Sequence, residues 1–285
     1  MDIRLLSDRI LINNPDTFKA KDTLECGQVF RFNALESGYE LISKDKKCNI
    51  IEHGNLTEII TDYPDYFYKY FDLDTDYNDI INTINSRYGL KSATSFGRGI
   101  RILNQSPFET LISFIISANN NIKRIRGIIN RICSGLGEDK GGYYAFPTID
   151  KMANSCPEFF VRAGAGYRAD YIIKTAQAIC QGFDLNELYL TDTGDARERL
   201  MRLTGVGRKV ADCILLFAYG KTDVFPVDIW IKKIYNHYYN NEDNPDKMSK
   251  KLIEIFGGYS GYIQQYLYYY IRENKGLLES CFSPQ

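Results

Sequence analysis

The chain has 285 residues, enough for one large domain or two modest ones sharing a core. Its 44% hydrophobic and 25% charged residues are ordinary for a globular protein, and no apolar run approaches the roughly 20 residues that a bilayer span requires. A net charge of −1 excludes a uniformly basic nucleic-acid binder, so any such role must rest on local charge clusters.

From Met1 to Leu11 charges interrupt the apolar residues, and no secretory signal is expected. The seven cysteines (Cys26, Cys48, Cys133, Cys156, Cys180, Cys213 and Cys281) form no C-x-x-C pair. Neither a zinc site nor a four-cysteine iron–sulfur cluster is expected, and the odd count in apolar settings reads as reduced thiols of a cytoplasmic protein, or a nucleoid-associated one in a prokaryote.

Between about residues 28 and 61, short runs rich in β-branched and aromatic residues alternate with turn signals. Gln28–Asn33, Tyr39–Ser43, Lys47–His53 and Leu56–Thr61 are separated by Glu36-Ser37-Gly38, Lys44-Asp45-Lys46 and Gly54-Asn55, which predicts an antiparallel meander. Asp76 to Tyr88 follows as a helix with Ile80, Ile81 and Ile84 on one side.

Near residue 95 the character changes to helical. Ser106-Pro107-Phe108-Glu109 reads as a helix start, and the apolar run Leu111–Ile116 stops at Asn119-Asn120-Asn121. Further helices are predicted over Ile122–Cys133, Arg168–Gln181, Asp195–Leu203, Lys209–Tyr219, Ile229–Tyr239, Met248–Phe256 and Ile263–Lys275. Gly135 to Pro147, with glycines at 135, 137, 141 and 142, is the most linker-like stretch.

Basic residues gather at Lys123-Arg124, Arg126, Arg131, Arg197, Arg199, Arg202, Arg208, Lys209 and Lys232-Lys233, while acidic residues crowd at 62–79 and 242–246. Any one basic cluster is ordinarily a solvated helix face. Together with a nearby hairpin they predict a basic stripe on one side.

That hairpin is Leu203-Thr204-Gly205-Val206-Gly207-Arg208-Lys209-Val210-Ala211-Asp212-Cys213. Gly205 and Gly207 allow backbone N–H groups to approach a phosphate without a Cβ in the way, aided by the positive helix end. Alone, a Gly-Val-Gly corner is an ordinary helix junction. Lys209 stands in the first turn behind it, where the helix dipole disfavours an ammonium and Asp212 acts in the opposite sense, so the net shift stays open. Asp228, after Pro226-Val227, reads as an N-cap. A capping carboxylate is held in place and kept ionised, as stabilising positive charge on a sugar requires.

These residues resemble the helix-hairpin-helix DNA glycosylases, and within them the 8-oxoguanine DNA glycosylase/AP lyases. The resemblance extends through Glu25-Cys26-Gly27-Gln28-Val29-Phe30-Arg31, Ser117-Ala118-Asn119-Asn120-Asn121-Ile122-Lys123-Arg124, Gly164-Ala165-Gly166-Tyr167-Arg168-Ala169 and Gly261-Tyr262-Ile263-Gln264. It implies that Lys209 attacks C1′ and forms a Schiff base from which β-elimination follows, and that Asp228 supports the oxocarbenium character of the sugar. No metal or organic cofactor is implied.

For the flipped base, the resemblance implies that the Gly27 carbonyl accepts N7–H, Gln264 reads the Watson–Crick edge, and Tyr268 and Cys213 face the two sides of the ring. On the other strand it implies that Asn119, Arg124 and Arg168 recognise the orphaned cytosine and that Tyr167 wedges the stack. Two positions depart from the family: Tyr268 where phenylalanine is usual, and Trp230 where some relatives carry histidine. His53 and His237 read as surface or packing residues.

The expected fold is α+β. An antiparallel β-rich N-terminal half-domain (1–95) packs on a mainly helical domain (96–285), with the helix-hairpin-helix near 195–219 and a C-terminal helix completing the base pocket. The expected protein is a monomer whose partner is double-stranded DNA containing 8-oxoguanine. Two alternatives are a glycosylase for another damaged purine, such as an alkylated base, and a helix-hairpin-helix module that only clamps DNA.

Overall fold

A computed structural model describes residues 1–239 and 241–274, so predicted features at Lys275 and Cys281 lie outside the described residues. The N-terminal part is a six-stranded antiparallel sheet in the order β1-β2-β6-β5-β4-β3. Its strands are β1 (Asp2–Leu5), β2 (Arg9–Asn13), β3 (Phe32–Leu35), β4 (Gly38–Ser43), β5 (Lys46–His53) and β6 (Leu56–Ile60). Two helices accompany it, α1 (Ala20–Glu25) and α2 (Pro64–Tyr70). Ile10, Ile12, Leu41, Cys48, Ile50 and Ile59 point into a core shared with Phe18, Phe67 and Phe71. Strands β1 and β2 were not foreseen, although Ile10 and Ile12 alternate with half-exposed neighbours in the period-2 pattern of a strand.

The third strand is displaced from the expected Gln28–Asn33 to Phe32–Leu35. Gln28 is claimed by side-chain bonding instead. Its amide nitrogen donates to the Thr23 and Arg101 carbonyls at 2.9 and 2.8 Å, its amide oxygen accepts from Leu103 N at 2.9 Å, and its backbone carbonyl accepts from Gln105. Arg31, buried, pairs with Glu109 Oε1 at 3.1 Å. These long-range bonds hold 28–31 in an irregular path.

Next come α3 (Tyr77–Tyr88), capped by Asp76, then α4 (Lys91–Phe96), α5 (Pro107–Ser117), α6 (Ile122–Leu136), α7 (Ile149–Ala153), α8 (Pro157–Arg162) and α9 (Arg168–Cys180). The chain ends its described part with α10 (Thr193–Met201), α11 (Arg208–Tyr219), α12 (Ile229–Tyr238), α13 (Pro245–Phe256) and α14 (Ser260–Glu273). Helices α1, α2, α4, α7 and α8 were missed; each has seven residues or fewer, too few turns for a helical period to register. None of the described helices is long and apolar enough to cross a membrane.

Two helices form the centre of the helical part. Residues 109–116 of α5 and 210–219 of α11 are buried without a break. Phe114 and Phe217 stack between them, with centroids 5.6 Å apart. Burying each such side chain contributes roughly 1.5–3 kcal/mol, which makes this pair a rigid base for whatever α11 presents at its N-terminus.

Gly135–Pro147 is not a linker. Tyr143 donates to the Asp45 carbonyl at 2.9 Å, Phe146 N to the Lys44 carbonyl at 2.8 Å, and Arg31 to the Tyr144 carbonyl. Gly137 lets two backbone segments cross, since a Cβ there would lie 2.1 Å from the Ala145 carbonyl oxygen. Tyr143 and Phe146 thereby tie this stretch to the β4–β5 turn.

Candidate active site

Lys209 sits at the second position of α11, behind Gly207 as N-cap. Its ammonium lies 5.3 Å from the Phe114 ring centroid. Desolvation is the largest influence and opposes the charge. Cys213, Asp228 and Tyr268 outweigh it, and the balance lies above the ordinary lysine value. Burial pushes the Cys213 thiol up to about 11, so near neutrality it is an uncharged group, and Asp228 is the carboxyl group that acts on Lys209. The lowered lysine pKa that the helix dipole favours is thus not the resting condition.

Asp212 is paired with arginines rather than with Lys209. It is buried against α10, its Oδ1 2.5 Å from Arg197 Nε and its Oδ2 3.9 Å from Arg208 Nε, and ties the two hairpin helices together. Gly205 has φ +84°, and a Cβ there would meet the Tyr171 ring at 2.6 Å, so it serves both turn and packing. Gly207 is extended, exposed and free of neighbours within 4 Å of an added Cβ. Only Gly207 leaves its outer face open.

Asp228 is the N-cap of α12, accepting from Trp230 N at 3.0 Å and Ile231 N at 2.9 Å. Both bonds fall on Oδ1, so the second oxygen is not engaged in the cap. Burial raises its pKa above the ordinary carboxylate value, against the pull of the Ile231 N–H, Lys209 and the Trp230 N–H. The expectation that the cap keeps this carboxylate ionised therefore meets an opposing desolvation that the sequence did not display.

Gly27, Phe114, Lys209, Cys213, Phe217, Pro226, Asp228, Gln264, Gln265 and Tyr268 line one cavity of about 50 Å³. That is about one or two waters' worth of space, less than a purine needs, so Tyr268 or its neighbours must move for a base to enter. Gln264 is buried and its Oε1 has no hydrogen-bond partner. Gly27 has φ +87°, and a Cβ would stand 3.1 Å from the Tyr268 ring, so no other residue fits without strain. Gln265 fixes this turn by donating to the Cys26 carbonyl at 2.8 Å, and Arg272 by donating to the Glu25 carbonyl at 2.5 Å. Helix α14 thus both fills the cavity and sets the position of Gly27.

The cavity opens on a groove of about 1130 Å³ that includes Asn119, Lys123, Arg124, Lys209, Asp228, Trp230, Lys232 and Arg272. Asn119 is exposed with φ +48°, and Arg124 is exposed. Arg168 is placed differently: it is buried and donates to the Ala118, Asn119 and Ala165 carbonyls, holding the Asn119 loop from behind. Tyr167 is 55% exposed, carries the Arg168 guanidinium 4.4 Å from its ring centroid and meets Tyr171 edge-on. Neither Tyr167 nor Arg168 lines the groove. Helix α9 instead links them to the hairpin, through Tyr171 against Gly205 and Thr175 Oγ1 donating to the Thr204 carbonyl.

The basic stripe breaks up. Arg126 donates to the Phe32 carbonyl, Arg131 to the Ala163 carbonyl, Arg197 pairs with Asp212, Arg199 with Glu187 and Lys232 with Asp243. Most of these cations hold the fold. Lys123, Arg124, Lys209 and Lys232 are those of the stripe that reach the groove. His53 and His237 are exposed, away from it. Among the described cysteines, Cys156 and Cys180 are exposed rather than in apolar settings.

This geometry has close relatives. Residues 10–111 match the family model described as the 8-oxoguanine DNA glycosylase N-terminal domain, and residues 112–257 match the HhH-GPD superfamily of base excision DNA repair proteins. The chain belongs to the 8-oxoguanine DNA glycosylase family. A probable N-glycosylase/DNA lyase of Methanothermobacter thermautotrophicus is 33% identical over 73% of this chain and 74% of its own length. The N-glycosylase/DNA lyase of Saccharomyces cerevisiae is 32% identical over 80% of this chain, which spans 64% of that relative. Among solved structures, the Clostridium acetobutylicum 8-oxoguanine glycosylase/lyase in complex with double-stranded DNA containing cytosine opposite 8-oxoguanine superposes with a TM-score of 0.90. It shares 38% identity over 96% of this chain and 99% of that one. Family membership accounts for the α+β architecture.

Phe114, Gln265 and Arg272 escaped the sequence reading. Arg272 had a signal, since it follows Gln264 and Tyr268 at four-residue spacing on one face of α14.

Proposed function

We propose that this chain removes 8-oxoguanine from double-stranded DNA and then nicks the strand, acting as a monomer without a cofactor. The observation that carries the reading is the shared cavity: an amine, a capped carboxylate, the unpaired amide oxygen of Gln264 and the Gly27 turn face one small space. The Lys209 amine attacks C1′, the N–C1′ bond forms, and the bond to N9 breaks with its electron pair leaving on the base. Opening of the sugar gives an imine. Loss of the C2′ proton then expels the 3′ phosphate by β-elimination. Asp228 offsets the positive charge that develops on the sugar.

The test is excision and nicking of duplexes carrying 8-oxoguanine, followed separately over time, with each of the four bases opposite. Arg124 and Arg168 donors suit the N3 and O2 acceptors of cytosine, whereas adenine places an N6 donor there. Excision opposite cytosine is expected to lead the others by roughly tenfold or more. Equal rates would remove the opposite-base reading. Arg168 must exchange its Ala118 and Asn119 carbonyl partners to take part, so base recognition and the shape of the Asn119 loop are coupled.

A pH dependence follows from Lys209. Its ammonium is held above the ordinary lysine value, and only the free amine attacks. Below that pKa the free amine grows about tenfold per pH unit. The single-turnover rate of borohydride-trappable complex is therefore expected to climb from pH 6 to 8. A flat profile there would show that the amine is already neutral when DNA is bound.

A further inference from the structure

Arg272 stands on the rim of the base cavity, one turn of α14 after Tyr268, with its guanidinium 5.2 Å from the Tyr268 ring centroid. Its other contacts fix it in place. Nη2 donates to the Glu25 carbonyl at 2.5 Å, and Nε and Nη2 reach Glu273 Oε1 at 2.9 and 2.8 Å. Nη1 is buried and makes no well-aligned hydrogen bond among the described residues, although the Tyr268 hydroxyl interacts with this guanidinium. This nitrogen lies 3.2 Å from the point where a β-carbon on Gly27 would stand. The Gly27 carbonyl likewise accepts no hydrogen bond among the described residues. Buried polar atoms nearly always have partners, and an exception that lines a site is a candidate for contact with what the site binds. Here a donor engaged at most by the Tyr268 hydroxyl and an acceptor without a partner share one rim, in the groove that also holds Lys209 and Asp228.

We propose that Arg272 contacts the substrate and sets specificity, its Nη1 donating to the O8 carbonyl oxygen on the Hoogsteen edge of a flipped oxidised purine. The proposal rests on the 8-oxoguanine reading above. That edge of 8-oxoguanine presents O6, N7–H and O8 in order, a donor flanked by two acceptors. Unmodified guanine presents O6, a bare N7 and C8–H. A protein acceptor next to a fixed cationic donor complements the oxidised edge and sets its acceptor against a lone pair in the unmodified one. Tyr268 lies beyond the residues that the two family models match. In this chain its ring and the Arg272 guanidinium are packed together over Gly27, so the base must part them to enter.

Single-turnover excision by Arg272→Met, which keeps an apolar stem and loses every donor, tests the assignment. Loss of one charge-assisted hydrogen bond should lower excision of 8-oxoguanine by about 10- to 100-fold. Cleavage of a duplex with a preformed abasic site uses Lys209 and has no base to contact, and it should be unchanged. Arg272→Lys, which retains a donor, should recover part of the loss. Undiminished excision by Arg272→Met overturns the proposal. So does a parallel fall in abasic-site cleavage, which would place the loss outside base recognition, and so does an equal loss in Arg272→Lys, whose donor should restore a direct contact to the base but not the two-pronged brace on the Glu25 carbonyl and Glu273. If the wild-type protein cleaves abasic DNA yet leaves 8-oxoguanine in place, the substrate reading fails and the Arg272 assignment falls with it. That outcome is distinguished by the wild-type reaction itself.

Discussion

Lys209→Gln is expected to abolish the borohydride-trapped complex with 8-oxoguanine DNA and to lower excision by on the order of 10³-fold or more, with DNA binding retained. Glutamine, one bond shorter than lysine, keeps a polar side chain that can still pack over Phe114, where the lysine now makes its cation–π contact. It cannot attack C1′ or form an imine. The groove also holds Lys123 and Lys232, so the variant asks which amine reacts rather than whether a cation is needed. If trapping persists, one of those two becomes the candidate nucleophile and the assignment of Lys209 is wrong. If binding vanishes along with trapping, Lys209 is principally an electrostatic anchor. A gel-shift titration beside the trapping assay separates the cases, and loss of a single phosphate contact would flatten the salt dependence by about one unit while leaving chemistry intact.

The parts of the fold that were legible in the sequence are those with a long periodic signal. Helices α6, α9, α11, α12 and α13 came out within a few residues of their observed bounds, because each runs ten or more residues with one apolar face. Strands β4, β5 and β6 were legible because turn residues bracket them. The failures share a physical cause. Gln28–Arg31 has strand-like composition, but its polar groups are committed to residues more than 70 positions away. Gly135–Pro147 has linker composition, but Gly137 permits a close crossing and long-range bonds tie the stretch to the β4–β5 turn. In both places tertiary bonds outweigh local propensity, and local pattern carries no record of them.

Charge was the least legible property. A run of basic residues is the same in sequence whether the guanidinium faces solvent, as at Arg124, or closes a carbonyl in the fold, as at Arg126, Arg131 and Arg168. The site residues were reachable mainly through motif resemblance, since Gly27, Lys209, Asp228 and Gln264 come from four separate parts of the chain. What brings them together is α14. Its Gln265 and Arg272 hold the Cys26 and Glu25 carbonyls, while Gln264 and Tyr268 face the cavity.

Asp228 offers the second large effect, because two roles meet in one carboxylate and two substitutions separate them. As N-cap of α12 it accepts from Trp230 N and Ile231 N through Oδ1 alone. Asparagine caps a helix about as well as aspartate, so Asp228→Asn should keep both bonds and change stability little. It removes the negative charge beside Lys209 and the sugar. Electrostatic groups of this kind are typically worth 10²–10³ in rate, and excision by Asp228→Asn is expected to fall by about that factor. Asp228→Ala loses the charge and the cap together. It should match the asparagine variant in rate loss and in addition cost about 1 kcal/mol of stability, read from the denaturation midpoint. The carboxylate also holds Lys209 protonated at rest, so removing it lowers the lysine pKa and raises the fraction of free amine. The two consequences oppose each other. A net loss in Asp228→Asn means that charge stabilisation of the breaking glycosidic bond outweighs readier deprotonation of the nucleophile. An unchanged or faster rate would assign Asp228 to the cap alone and leave the developing sugar charge to another group in the groove.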